Sequence, residues 1–161
     1  MLGGAVAWWT ELYRGHDVVQ FLAGLGHILT IVFAGRYALA GDRAALRAQR
    51  RPPAQRDALL RSIVSMHRPV LLGLSLALLT GLAQLLAQLD YLPGSFWFWA
   101  KLTGLALLLA NGRVIMLASR SLRADPEQPA RWRTLRAAAV RSLVLWTSLV
   151  IIGLMMTTVR P

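Results

Sequence analysis

The sequence predicts an all-α polytopic membrane protein, a bundle of four transmembrane helices, and three observations carry that prediction. Four apolar segments occupy residues 18–39, 69–89, 96–117 and 137–159, and each supplies about the ~20 helical residues that cross a hydrocarbon core. The composition agrees, since 56% of the residues are hydrophobic and the mean hydropathy is +0.50. The basic residues gather between the apolar segments. We expect residues 1–161 to form one domain.

The positions of the basic residues predict the orientation of the bundle. The chain has 18 Lys and Arg residues and a net charge of +11. Only Arg14, Lys101 and Arg160 lie near the other ends of the spans, and the remainder form two groups at the same ends: Arg36, Arg43, Arg47, Arg50, Arg51, Arg56, Arg61 and Arg68, then Arg113, Arg120, Arg123, Arg131, Arg133, Arg136 and Arg141. Lys and Arg favour cytoplasmic loops, so this pattern indicates a bacterial inner-membrane protein with basic cytoplasmic loops and both termini outside. It does not indicate nucleic-acid binding, which would spread the charge over one accessible surface.

The first 17 residues precede the first span and predict a short interfacial helix. Trp8, Trp9 and Tyr13 are side chains that favour the headgroup level of a bilayer. Residues 38–40 have the small-x-small form of a signal-peptidase site. No basic leader precedes them, however, and the apolar stretch is longer than a signal core. We therefore expect the first span to be retained.

The connections between the spans carry their own signals. Residues 50–53 read Arg-Arg-Pro-Pro, which ends one element, and the helix that follows is predicted to run through Pro69, with a kink there. Residues 90–95 predict a tight external turn that makes the second and third spans antiparallel neighbours, with Ser95 able to cap the third. Residues 125–129, Asp-Pro-Glu-Gln-Pro, predict the most flexible loop.

His27 is the first residue that could carry chemistry. It lies ten residues after Asp17, and at 1.5 Å per residue that places it ~15 Å deep, near the middle of the first span. It could form a hydrogen bond between helices, or it could be a metal or haem ligand through a neutral imidazole nitrogen. His16 and His67 are each ~15 Å or more from that level, so one chain offers no bis-histidine haem site. His67 is expected to reach the cytoplasmic headgroups or to bind an anionic group there.

Lys101 is the second such residue, five positions into the third span. Its amine could extend to the outer headgroups beside Trp97 and Trp99, or it could turn inward to His27. Asn111, nearer the inner end of the same span, is expected to hydrogen-bond across helices. Acidic residues are absent from every predicted span and the chain has no cysteine, which excludes thiolate chemistry, disulfides and cysteine-ligated metals.

The second span carries small and polar residues along one side. Their main interpretation is close packing against another helix. The alternative is that the small side chains leave room for a planar cofactor or a lipid tail. The stripe consists of Gly73, Ala77, Thr80, Gly81, Gln84 and Gln88.

Three short segments together give the chain a resemblance to a known group. They are Gly26-His27-Ile28, the stretch from Met66-His67-Arg68-Pro69 to Thr80-Gly81-Leu82, and Phe98-Trp99-Ala100-Lys101-Leu102. Over residues 18–120 the chain resembles the small four-helix HemJ/CopD group of bacterial membrane proteins. Asn111-Gly112-Arg113 stands where such proteins have a further histidine.

The resemblance implies a function and its residues. HemJ-like proteins are associated with b-type haem and protoporphyrinogen oxidation through a helix-1 histidine and a helix-3 lysine, and CopD-like proteins with copper handling. The resemblance to HemJ-like proteins thus implies haem b as cofactor, with His27 and Lys101 as cofactor-binding residues and His27 as metal ligand.

Two other functions remain open at this point. The Gly/Ala stripe, the Trp residues and the sparse polar core also suit a non-catalytic subunit that packs against a larger membrane complex. Passage of a small molecule or lipid between the helices is a third hypothesis. The expected partners are the bilayer and either further copies of this chain or other membrane subunits, while the sequence leaves open whether the protein is an enzyme.

Overall fold

The computed structural model describes residues 2–158, and in that range the chain is helical apart from short connections. There are five α-helices and one 3-10 turn: α1 (Leu2–Gly15), α2 (Asp17–Ala48), α3 (Pro53–Ala87), the turn Leu92–Gly94, α4 (Phe96–Ala124) and α5 (Pro129–Thr158). The helices α2 to α5 are each long and apolar enough to cross a membrane. The all-α prediction with four apolar helices is therefore confirmed. The end of the fourth predicted span, Val159, and the C-terminus lie outside the described residues.

The four long helices continue past the predicted spans at their arginine-rich ends. The first span was expected to end at residue 39, yet α2 continues to Ala48 and α3 begins at Pro53. In the same way, α4 continues to Ala124. Hydropathy alone ends a span where arginines begin, but Arg and Ala are among the best helix formers. The two stretches predicted as basic loops are thus mostly helix.

These helical extensions enclose a core of their own, which we call the basic-end core. Leu60, Leu122 and Leu135 are at most 1% exposed there, and Trp132 is 3% exposed. They pack with the other buried members, which are Ala44, Ala45, Ala48, Ile63, Ala118 and Ala139. Because the small alanines let the helices approach closely, the large side chains are enclosed on all sides. The basic end is a packed helical layer that carries arginines on its outside.

The α2–α3 pair is in contact from one end of the bundle to the other. Gly41 lies beside Met66 at the basic end, Ala34 beside Gly73 in the middle, and His27 beside Gly81 toward the opposite end. A Cβ atom placed on Gly73 would lie 2.8 Å from the Ala34 Cβ and 3.0 Å from its backbone nitrogen. The small-residue stripe of the second span therefore packs against α2, as the sequence predicted.

The helix α1 caps the end of α3. The Arg14 guanidinium donates to the Ala87 carbonyl at 3.1 Å and pairs with Asp90, while the Thr10 hydroxyl donates to the Leu86 carbonyl. The last carbonyls of a helix have no partner within the helix, so α1 supplies donors for two of them. Trp9 adds a hydrogen bond from its indole nitrogen to the Ala83 carbonyl at 2.7 Å.

The connections differ from the predictions in detail. Ser95 takes the extended backbone of an N-cap residue, but its side chain forms no cap hydrogen bond. The helix α3, by contrast, is continuous through Pro69 as predicted. The 125–128 connection, predicted as the most flexible loop, is a turn in which the Asp125 carboxylate accepts hydrogen bonds from the Glu127 backbone and the Gln128 amide.

We expect Gly73→Ala to destabilise the bundle by ~1–3 kcal/mol, because the added methyl group would force α2 and α3 apart. The matched control is Gly24→Ala, since a Cβ there meets nothing within 4 Å and alanine is the better helix former. Thermal unfolding in detergent checks this. Equal melting temperatures for the two variants would contradict the close approach at Gly73.

Candidate cofactor site

His27 lies on α2 and faces α3, where Thr80 is its partner. The His27 Nδ1 and Thr80 Oγ1 atoms are 2.9 Å apart. The Thr80 hydroxyl also lies 2.9 Å from the Leu76 carbonyl and 3.1 Å from the Ala77 carbonyl. A hydroxyl has a single proton, and helical threonine gives it to a carbonyl of the preceding turn. The network therefore assigns the proton of this contact to His27 Nδ1, so that Nε2 carries the free lone pair.

The free nitrogen of His27 faces Lys101. The Lys101 Nζ and His27 Nε2 atoms are 3.4 Å apart, across the bundle from α4 to α2. Of the two alternatives that the sequence left open for this lysine, the structure has the inward one. Trp99, two positions earlier and hence about 200° around the helix, is 56% exposed and its indole donates to the Pro93 carbonyl. Trp99 and Lys101 thus point in opposite directions.

A glycine on α3 allows the imidazole to lie close against that helix. A Cβ atom on Gly81 would lie 3.2 Å from His27 Cε1, a tight contact, and an ordinary 3.7 Å from Nδ1. One turn further, the Gln84 amide donates to the Ala23 carbonyl of α2 at 3.1 Å. Thr80, Gly81 and Gln84 of the predicted stripe together fix the height and the orientation of His27.

The two nitrogen donors of this site are too few to hold a bare metal ion on their own. Within residues 2–158 no three His, Cys, Asp or Glu side chains form a group that could hold one. His27 and Lys101 supply nitrogen atoms that are in direct contact at 3.4 Å. A metal held by this pair would have to bring further ligands of its own, and the two side chains would have to separate to admit it.

The other two histidines lie away from this site. His16 is the exposed N-cap residue of α2 and forms no cap hydrogen bond with its side chain. His67 is half-buried, and a Cβ on Gly112 would lie 3.4 Å from its ring. Its ring lies against α4, and the expectation that it reaches the headgroups or binds an anionic group there stays a prediction. Asn111 behaves as predicted, with its amide donating to the Ala138 carbonyl at 2.8 Å.

Asp42 is a residue that the sequence analysis missed. It lies three positions beyond the first predicted span, among the arginines of the first basic group. Because α2 continues through this position, the side chain is 2% exposed. Its Oδ2 atom has no hydrogen-bond partner among the described residues. In the sequence, Asp42 could have been singled out as the one acidic residue between Arg36 and Arg43, next to Gly41.

Comparison with protein-family models, with curated proteins and with solved structures finds no match for this chain.

We expect Thr80→Val to remove the hydrogen bond to His27 at nearly constant volume and to destabilise the bundle by ~1 kcal/mol. The matched control is Thr147→Val, since the Thr147 hydroxyl bonds only within its own helix, to the Leu143 carbonyl. Unfolding measurements on Thr80→Val, on His27→Ala and on the double variant give the coupling energy between the two side chains. A coupling of zero would contradict the contact.

Proposed function

We propose that this protein holds a b-type haem between its helices, with His27 and Lys101 as the two residues that bind the iron. The observation that carries the proposal is the inward position of the Lys101 amine, 3.4 Å from the nitrogen of His27. A lysine near the end of a transmembrane helix can reach the headgroups at little cost. Its placement beside an imidazole instead favours a role inside the bundle.

The tautomer of His27 supports the same role. Ligating histidines usually donate their second ring N–H to a nearby acceptor, which fixes the ring and raises the basicity of the ligating nitrogen. Thr80 is that acceptor here, and it leaves Nε2 directed at the centre of the bundle. Gly81 keeps the space against the ring free. Haem supplies one-electron redox chemistry when bound, and the residues of this chain would orient it and exclude water.

The resemblance to the HemJ/CopD group includes both residues. HemJ-like proteins are associated with haem through a helix-1 histidine and a helix-3 lysine, and His27 and Lys101 meet here across the bundle. The proposal concerns binding of a redox cofactor and does not extend to a particular reaction. The alternative is a non-catalytic subunit of a larger membrane complex, and the same experiment separates the two.

We expect the detergent-purified protein to show a Soret band, and sharp α and β bands after reduction with dithionite. His27→Ala should abolish them and Lys101→Met should shift or abolish them, because each removes one nitrogen donor. The matched control is His16→Ala, which removes an exposed imidazole and should leave the spectrum unchanged.

Two outcomes would contradict haem binding by this pair. One is a spectrum that survives in the His27→Ala variant. The other is a featureless spectrum from protein purified under conditions that retain bound components, and this result would favour the accessory subunit. Co-purification of partner proteins from the native membrane would then be the next measurement.

For the orientation we propose a bacterial inner-membrane protein with its basic end in the cytoplasm. Both arginine-rich connections, α2 to α3 and α4 to α5, lie at the same end of the bundle, which is the distribution that the positive-inside rule describes. At the opposite end, α1 packs across α3 and leaves Trp8 63% exposed. This exposure suits a position of α1 at the outer interface, with the Trp8 indole among the headgroups.

The lack of cysteine in the sequence makes this orientation simple to test. We expect Gly94→Cys, in the turn before α4, to react with a membrane-impermeant maleimide on intact spheroplasts. Glu127→Cys, in the turn between α4 and α5, should react only after permeabilisation. Both positions are exposed, and the unsubstituted chain is the background control. The reverse labelling pattern would overturn the orientation.

A further inference from the structure

A second polar site lies at the basic end of the bundle, away from His27 and Lys101. There the four long helices leave a cleft of about 60 Å³, which we call the Asp42 cleft. Its walls are mostly apolar, and Leu74, Leu108 and Trp146 form its deep part. Asp42, His67 and Ser142 line it as well. The Asp42 cleft is thus mostly apolar, with a few polar residues in its wall.

Asp42 is an unusual residue for this position. It is 2% exposed, and its Oδ2 atom has no hydrogen-bond partner among the described residues. Many arginines lie at this end of the bundle, yet the ion pairs that the structure describes there are those of Asp57 with Arg61 and Arg123. Buried carboxylates are normally paired with a cation or fully hydrogen-bonded. Asp42 therefore has an unused capacity to bind a cation.

The neighbours of Asp42 suit a cation that donates hydrogen bonds. Ser142, on the facing α5, offers its hydroxyl beside the Asp42 carboxyl group. The His67 imidazole lines the same cleft from α3. An ammonium group has three N–H donors, and the Asp42 carboxylate and the Ser142 hydroxyl oxygen are acceptors for two of them.

A bare metal ion suits the cleft less well than an amine. Among the described residues no three His, Cys, Asp or Glu side chains come together, and divalent cations such as Ca²⁺ take six or more oxygen ligands. The remaining walls are mostly aliphatic, with a methionine, a tyrosine and a tryptophan side chain and two glycines, and they favour an apolar body. The preferred occupant therefore has a charged head and a compact hydrocarbon part.

We propose that the Asp42 cleft is a binding site for a small amphipathic organic amine, with the ammonium group on Asp42 and the apolar group against Trp146 and Leu108. A free amine and the headgroup of an aminophospholipid share this chemistry. The site is independent of the proposed haem site, because none of its lining residues is His27 or Lys101.

The test is binding of n-pentylamine to the purified protein by isothermal titration calorimetry. Asp42→Asn should weaken binding by at least ~30-fold, as expected when one partner of a buried charge pair is removed. The matched control is Asp57→Asn, which neutralises an exposed acid at the same end and should bind pentylamine as the unsubstituted protein does. Failure of pentylamine to bind the unsubstituted protein, or equal binding by Asp42→Asn, would overturn the proposal.

Two further measurements do not depend on the folding of the Asp42→Asn variant. The unsubstituted protein should bind n-pentanol, which has the same apolar group without the charge, at least ~30-fold more weakly than pentylamine. Gly41→Ala adds a methyl group to the cleft wall at an ordinary 3.9 Å from the Met66 sulfur, so it should fold normally and weaken binding. Equal affinity for the alcohol and the amine would contradict a role for the carboxylate.

Nanodiscs distinguish the two sources of the amine. Loss of pentylamine binding in nanodiscs that contain phosphatidylethanolamine, relative to phosphatidylcholine, assigns the cleft to a lipid headgroup amine. Unchanged binding assigns it to a free amine. Because haem binding is read from the absorption spectrum and amine binding from calorimetry, failure of either proposal leaves the other intact.

Discussion

The structure depends on the requirement that polar groups inside an apolar helical bundle find partners in neighbouring helices. No water is present in a hydrocarbon layer to hydrogen-bond them. His27 meets this requirement through Thr80 on one side and Lys101 on the other, and Asn111 meets it through a carbonyl of α5. Each contact joins two different helices. The few polar side chains therefore fix which helices are neighbours and at what height they meet.

Packing is distributed unequally along the bundle. Toward the basic end, leucines and Trp132 are enclosed by close-packed alanines. In the apolar part of α2, large side chains such as Phe21, Ile28 and Val32 are 58–66% exposed, as suits a surface that lipid covers. Because apolar packing in lipid has little hydrophobic driving force, the basic-end core and the interhelical hydrogen bonds provide much of the specificity of the fold. The glycines at the α2–α3 contact then set how closely those two helices approach.

The sequence predicted the helices better than their ends or their contacts. Four apolar segments of about 20 residues can form only helices in lipid, so composition alone was sufficient. Hydropathy could not show that the arginine-rich stretches are also helical. The core of alanines and Trp132 that stabilises these stretches forms only when the four helices pack together. Asp42 was missed for the same reason. It lies beyond the predicted end of the first span, and the continuation of α2 buries it.

The direction of Lys101 could not be predicted, for a different reason. Its position near the outer end of α4 allows the amine to reach either the headgroups or the interior, since a four-carbon chain spans both distances. The tryptophans around it suggested the headgroups. In the structure, Trp99 occupies the outward side of α4 and Lys101 the inward side, a separation that follows from the helical repeat. The angle between Trp99 and Lys101 could be calculated from the sequence. The sequence does not show which side of α4 faces α2.

The His27–Lys101 contact differs from an ordinary structural hydrogen bond. Thr80 already satisfies one ring nitrogen and fixes the ring, and Gln84 independently ties α3 to α2 at the next turn. A second partner for His27 could have been a hydroxyl or an amide, which cost far less to bury than an amine. With Lys101 as the partner, the lone pairs of the Lys101 Nζ and His27 Nε2 atoms lie close together when both side chains are neutral. Helix packing does not require an amine at this point, and the cofactor role proposed above gives a reason for one.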